Sequence, residues 1–265
     1  MIENSENSIL KTENLTIGYP QKKQDHIIFS NINLSIEKGK LISVLGKNGI
    51  GKSTLLRTLC KVQKAITGAI YFEGKKLNTY SENDLSKKLS VVLTERLPES
   101  QLTVFELIAL GRQPYTNWID TLSKTDLEKI ETAIKQTEIG HLKNQRFHEL
   151  SDGQLQRVLI ARALAQDTDV IILDEPTAHL DMHQTINIFS LLQQLVKQTN
   201  KTIIVSSHEI NLALKLSDEI ILLTENNLQF GTTEALIAKN AFDKLFPNNL
   251  LKFNKSLQQF VINKT

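Results

Sequence analysis

GKNGIGKS, residues 46 to 53, constrains this chain more than any other stretch. An apolar run, Leu41-Ile42-Ser43-Val44-Leu45, precedes it, and a helical pattern follows Gly51. The spacing fits Gly-x4-Gly-Lys-Ser. A strand delivers such a loop, its glycines let the backbone come close to a ligand, and its N–H groups point at phosphate oxygens. The helix behind it adds a positive N-terminal end. Lys52 is placed for the outer phosphates, Ser53 for Mg²⁺ and Thr54 for an inner phosphate. The competing reading, a glycine-rich turn with no ligand, gives no reason for the strand before and the helix after.

Two more runs read like the first: Val170-Ile171-Ile172-Leu173 and Thr202-Ile203-Ile204-Val205. They are rich in β-branched residues and do not alternate, as in parallel strands covered on both faces. Each ends in polar residues, Asp174-Glu175 and Ser206-Ser207-His208. Open α/β sheets bind ligands beyond the carboxyl ends of their strands. Helical patterns cover Val104 to Gly111, Lys124 to Glu138, a stretch after Ser151 and about Asp181 to Lys197. Ile9 to Tyr19, Ile27 to Ile36 and Ala69 to Phe72 read as a small antiparallel sheet. The tail after Ala238 carries Phe242, Leu245, Phe246, Leu250 and Phe253, and is too apolar to be free.

Composition narrows the function classes. The chain has 265 residues, 40% hydrophobic and 23% charged, ordinary for a globular protein. Its 31 basic and 29 acidic side chains give a net charge of +2 and no footprint for nucleic acid. The single cysteine, Cys60, has no partner for an internal disulfide and reads as buried packing. MIENSENSIL lacks the basic and then apolar run of a secretory signal. No stretch reaches the ~20 apolar residues of a membrane span. The expected location is cytoplasmic, with any membrane link supplied by a partner.

LSDGQLQR, residues 150 to 157, reads as a helix start, with Ser151 and Gln154 forming a capping box. Gly153 in its first turn costs helix stability, so something is expected to come close to that backbone. Asp174 and Glu175 end a neighbouring strand. In a phosphate-loop protein the first carboxylate holds the magnesium shell and the second is free to orient or deprotonate a water.

GKNGIGKST, LSDGQ and VIILDEPTAHLD in this order resemble the ATP-binding subunits of ABC transporters, over roughly residues 8 to 235. The resemblance implies one ABC ATPase domain over 1–265: an α/β P-loop NTPase with a RecA-like parallel sheet core, an N-terminal antiparallel β subdomain, an inserted helical subdomain at about 95–165 and a C-terminal extension at about 239–265. It implies ATP and Mg²⁺ as ligands. Gly46, Lys47, Asn48, Gly49, Gly51, Lys52, Ser53 and Thr54 match the Walker A loop. Asp174 and Glu175 match the Walker B aspartate and catalytic glutamate. Ala178 to Asp181 match the D-loop, and His208 the switch histidine.

Tyr19 lies where the family sets an aromatic ring on adenine, with core packing as the alternative. LSDGQ matches the family signature, which closes over the γ-phosphate held by a second copy. Ser151, Gly153 and Gln154 would meet that nucleotide, and Asp152 is expected to point away from it. Glu175 is the candidate general base, or else positions the water. The family's glutamine that senses magnesium is missing. Thr94 aligns there, followed by Glu95, and either or neither takes its place as a metal-shell residue.

LTVFELIALGRQPYTNW, residues 102 to 118, is similar to ATPases of iron-chelate, haem and cobalamin importers. That resemblance implies a second copy of the chain, integral permease subunits and, indirectly, a substrate-binding protein as partners. The chain would sit peripherally on the cytoplasmic face of the inner membrane. One rival is a soluble ABC ATPase working on nucleic acid or ribosomes, but no tandem unit, long coiled coil or basic arm is visible. The other is a non-hydrolysing regulator, which Lys52, Asp174, Glu175 and His208 argue against.

Overall fold

The computed structural model describes residues 8–22, 24–94, 100–116, 121–225, 227–246 and 251–263. The chain begins with β1 (Ser8–Tyr19), β2 (His26–Ile32), β3 (Ser35–Glu37), β4 (Leu41–Leu45), α1 (Lys52–Leu59), β5 (Thr67–Phe72) and β6 (Lys75–Lys76). It continues through α2 (Glu82–Ser86), β7 (Leu89–Val92), α3 (Val104–Ala109), α4 (Lys124–Gln136), α5 (Asp152–Ala165), β8 (Val170–Leu173) and α6 (Met182–Thr199). It closes with β9 (Thr202–Ser206), α7 (Ile210–Leu216), β10 (Glu219–Thr224), β11 (Asn227–Gly231), α8 (Thr233–Ala238), β12 (Leu251–Asn254) and β13 (Gln259–Ile262). These elements fall into two compact units, Met1–Thr79 with Thr202–Thr265, and Tyr80–Lys201. The helical stretch expected at 95–165 lies inside the second.

In the first unit β4 pairs in parallel with β10 and with β9, and β11 runs antiparallel to β10. Every residue of β4 and β9 is buried, which is why neither run alternates. A second, antiparallel sheet has the order β2-β1-β5-β6, with β3 also on β1. The run expected from Ile27 to Ile36 divides into β2 and β3. Buried Thr12 causes the break: its hydroxyl donates to Ile32 O at 2.9 Å and accepts from Leu34 N at 2.8 Å. Those are backbone groups that a continuing ladder would use.

The tail packs back, as its apolar content requires. Phe242 is buried, and its ring stacks 4.7 Å from that of Phe253; Phe260 packs edge-on to both. β12 and β13 form an antiparallel hairpin. Asn211 of α7 holds it by accepting from Phe260 N at 2.7 Å and donating to Phe260 O at 3.1 Å. Leu250 lies outside the described residues. Cys60 is buried, as expected, and its Sγ donates to Arg57 O at 3.4 Å.

In the second unit β7 and β8 pair in parallel, and the burial of all of β8 matches its sequence. α3 stops at Ala109, short of the expected Gly111, and tightens into a 3₁₀ turn over Leu110–Tyr115. The cause is close backbone contact: a Cβ on Gly111 would sit 2.3 Å from Arg162 O of α5. Pro114, with no N–H, cannot continue an α-helix there. α4 ends at Gln136, before the expected Glu138, because Glu138 takes a left-handed φ of 59°. Among the described residues no helix is long and apolar enough to cross a membrane.

One buried ion pair anchors the helices of this unit. Arg112 and Asp126 are each only 4% exposed, with Arg112 Nε donating to Asp126 Oδ1 at 2.8 Å. Arg112 Nη1 also donates to Ala165 O at the end of α5, at 2.8 Å. Asp126 completes the capping box of α4, accepting from Ser123 Oγ at 2.6 Å and Ser123 N at 2.9 Å. Burial pushes the Asp126 carboxyl up. The hydrogen bonds from Ser123 and Arg112, with the Arg112 charge, outweigh burial and hold it below the ordinary carboxylate value.

Breaking a hydrogen-bonded buried pair leaves one charge uncompensated and costs about 3 kcal/mol. Asp126→Asn is expected to destabilise the protein by about that much near neutral pH, measured by urea unfolding. The Asp126 carboxyl has a lower value folded than unfolded. Its contribution is therefore complete above the unfolded value of about 3.9 and is lost as pH falls through the folded one. The stability gap between wild type and Asp126→Asn should accordingly close in acid and stay constant from about pH 5 to 8.

Candidate active site

The phosphate loop leaves a buried strand and runs straight into α1. Gly51 takes φ 115°, and a Cβ there would sit 2.5 Å from Ile28 Cγ2, so a side chain has neither the backbone conformation nor the room. Gly49 takes φ 75° at an exposed position. Lys52 is 3% exposed, and its Nζ curls back to donate to Gly46 O at 3.1 Å and Lys47 O at 3.4 Å. Lys47 Nζ pairs with Glu225 at 3.1 Å. Asn48 is exposed, Ser53 half-buried and Thr54 buried.

Tyr19 and His208 stand at the same loop. Tyr19 Oη and Thr54 Oγ1 share a hydrogen bond of 3.1 Å, and the ring is 49% exposed, so it is not core packing. His26 stacks beside it at 6.3 Å between centroids. β9 ends at Ser206, buried Ser207 takes the hydrogen bond of Glu209 N at 3.0 Å, and exposed His208 lies between them. His208 Nδ1 is 3.4 Å from Lys52 Nζ. Sequence positions from 19 to 208 thus meet at one loop within the first unit.

The carboxylates belong to the second unit. Asp174 is 2% exposed and follows β8; its N–H donates to Val92 O of β7 at 2.9 Å. Thr94 Oγ1 donates to Asp174 O at 3.2 Å, which sets Thr94 beside the Asp174 main chain. Glu95 lies outside the described residues. Glu175 is half-buried with φ 51°, and Ala178 N closes a turn onto Glu175 O at 3.1 Å. Asp181 caps α6, its Oδ1 accepting from Gln184 N at 2.8 Å.

The capping box at the start of α5 forms as its sequence implies. Ser151 Oγ accepts from Gln154 N at 3.4 Å, and Gln154 Oε1 accepts from Ser151 N at 3.0 Å. Ser151 and Asp152 are exposed. Gly153 does have a close neighbour, but it is a side chain of the same unit: a Cβ on Gly153 would sit 2.4 Å from Gln184 Oε1. No local signal in the sequence marks Gln184 or Glu225 as neighbours of these motifs.

Among the described residues no three His, Cys, Asp or Glu side chains could hold a metal by themselves. Magnesium keeps several waters and is bound through one or two carboxylates plus substrate phosphates. A hydroxyl at Ser53 and a buried carboxylate at Asp174 are donors of the right hardness.

The sequence pattern of the ABC transporter family matches residues 29–178. The iron(3+)-hydroxamate import ATP-binding protein FhuC of Bacillus subtilis is 35% identical over 238 residues, 89% of this chain and 87% of FhuC. A transporter described as of the metal-chelate type, in an inward-facing conformation, superposes with a TM-score of 0.78 at 28% identity, covering 96% of each chain. The ATP-binding cassette MJ0796, in a dimeric post-hydrolysis state bound to ADP and Pi, gives 0.72 at 30% identity over 84% of this chain and 98% of that one. With its phosphate loop, strand-end carboxylates and capped LSDGQ helix, the chain belongs to the ABC transporter family as an ATP-binding protein with the P-loop ATPase fold, and it is an ATPase.

Proposed function

We propose that this chain energises an importer of iron-siderophore, haem or cobalamin-type chelates, acting as a head-to-tail dimer on a membrane permease at the cytoplasmic face. The observation that carries the reading is likeness over about nine-tenths of the chain to an iron-hydroxamate import subunit. A substrate-binding protein would act indirectly through the permease. Nucleic acid is not a partner in this reading, in keeping with a net charge of +2.

The residues divide the chemistry as follows. Gly46, Lys47, Asn48, Gly49 and Gly51 present the loop to the phosphates, and Lys52 exchanges its carbonyl partners for phosphate oxygens. Thr54 takes an inner phosphate, and Tyr19 stacks on the base. Ser53 and Asp174 would hold Mg²⁺, with Thr94, beside the Asp174 main chain, as a further metal-shell residue. The ion supplies neutralisation of the charge that develops on the transferring phosphoryl group. Glu175 orients or deprotonates the attacking water, and His208 contacts the γ-phosphate. Ser151, Gly153 and Gln154 face the nucleotide of the second copy, and Asp181 of the D-loop lines the same interface. Closing does work on the permease only because ATP favours the closed state over the open one.

Glu175→Gln should bind ATP normally, hydrolyse it at least about a hundredfold more slowly and accumulate as an ATP-dependent dimer. Phosphate release and gel filtration check this; normal turnover would remove Glu175 from the mechanism. Uptake of labelled ferric hydroxamate, haem and cobalamin should depend on the chain for at least one of them. Cells that import all three equally well without it would exclude the assigned substrate class.

A further inference from the structure

We infer that Gln184 is a positioning residue for the signature turn, bracing Gly153 and tying it to the D-loop. The inference rests on the reading above, in which that turn meets nucleotide held by a second copy. The geometry is specific. A Cβ built on Gly153 would lie 2.4 Å from Gln184 Oε1, 2.9 Å from its Cδ and 3.5 Å from its Cγ. The outer half of the glutamine therefore lies across the one position in the first turn of α5 that has no side chain. Glycine is the residue that a backbone needs where another group must approach this closely.

The other end of Gln184 is equally fixed. Its N–H donates to Asp181 Oδ1 at 2.8 Å, in the cap that starts α6. One residue thus touches the D-loop aspartate through its backbone and the signature glycine through its side chain. Ser151 at the cap of α5, with Gln154 and Arg157 within it, faces Gln184, Asn187 and Ile188 of α6 across a cavity of about 160 Å³. With that space between the two helices, the glutamine spans a gap that would otherwise let the turn shift. A movement of the D-loop would be passed to Gly153 through this side chain. Displacing a phosphate-binding turn by a fraction of an ångström is enough to change the rate.

The test uses the full chain and steady-state hydrolysis. Gln184→Ala is expected to lower kcat about tenfold, while nucleotide binding to the single chain and the melting temperature stay near wild type. Gln184→Met keeps the length and bulk of the brace and should recover most of the rate. Gly153→Ala displaces the glutamine, so the double variant Gly153→Ala/Gln184→Ala should be no slower than the slower single variant.

Three outcomes overturn the brace: Gln184→Ala at the wild-type rate, no recovery in Gln184→Met, or losses that multiply in the double variant. Glu175→Gln serves as the control for the underlying reading. If it never dimerises with ATP, the two-copy arrangement falls and the brace with it. If it dimerises and Gln184→Ala turns over like wild type, the brace alone falls.

Discussion

A buried ammonium sets the terms for the first unit. Lys52 is 3% exposed, and taking such a charge out of water costs several kcal/mol unless polar groups surround it. The loop supplies the carbonyls of Gly46 and Lys47. To bring both within reach, the chain must leave β4 and turn back within a few residues, and it does so through left-handed Gly49 and Gly51. Buried β4 is held in parallel pairing on both sides, so the loop starts from a fixed point. The carbonyls stabilise the charge less well than phosphate oxygens, because a charge-assisted bond to an anion is roughly twice as strong as one to a neutral acceptor. The carbonyls that make a buried Lys52 tolerable are thus weaker partners than an anion would be.

The sequence carried these central features because each has a local cause. Non-alternating β-branched runs at 41–45, 170–173 and 202–205 lie in fully buried strands. The Ser-x-x-Gln spacing at 151–154 became a capping box. What stayed hidden depends on contacts between distant residues. Thr12 cuts a strand that propensity alone would run through to Ile36. Gly111 ends α3 early because the Arg162 carbonyl is against it. The Arg112–Asp126 pair is buried, and charge patterning offers no sign of that, since such pairs are usually solvated at helix surfaces.

At the glycine of the signature two causes can meet, a neighbouring side chain and the proposed nucleotide of a second copy. A helix gives up stability by carrying glycine in its first turn, so an approaching group was expected there. Within one chain that group is the Gln184 amide. The two causes are compatible. A turn that is already braced loses less conformational freedom when a ligand arrives than one that must be ordered at that moment. Nothing near Gly153 in sequence announces Gln184. It sits three residues past the α6 cap, where its backbone role looks complete.

Backbone strain falls where the second unit leaves β8 for the turn that carries Asp174 and Glu175. In a continuing strand, successive side chains point to opposite faces. Asp174 and Glu175 would then be separated by the sheet. The strand instead stops at Leu173, and Glu175 adopts φ 51°, a left-handed conformation that costs a non-glycine residue roughly 1 kcal/mol. Ala178 N then closes the turn on Glu175 O, and His179 takes a second left-handed position at φ 69° before Asp181 caps α6. Glycine at either place would relax the backbone. Residues held in sparsely populated conformations persist only where the surroundings over-determine them. Here buried Asp174 on one side and the capped helix on the other supply that constraint.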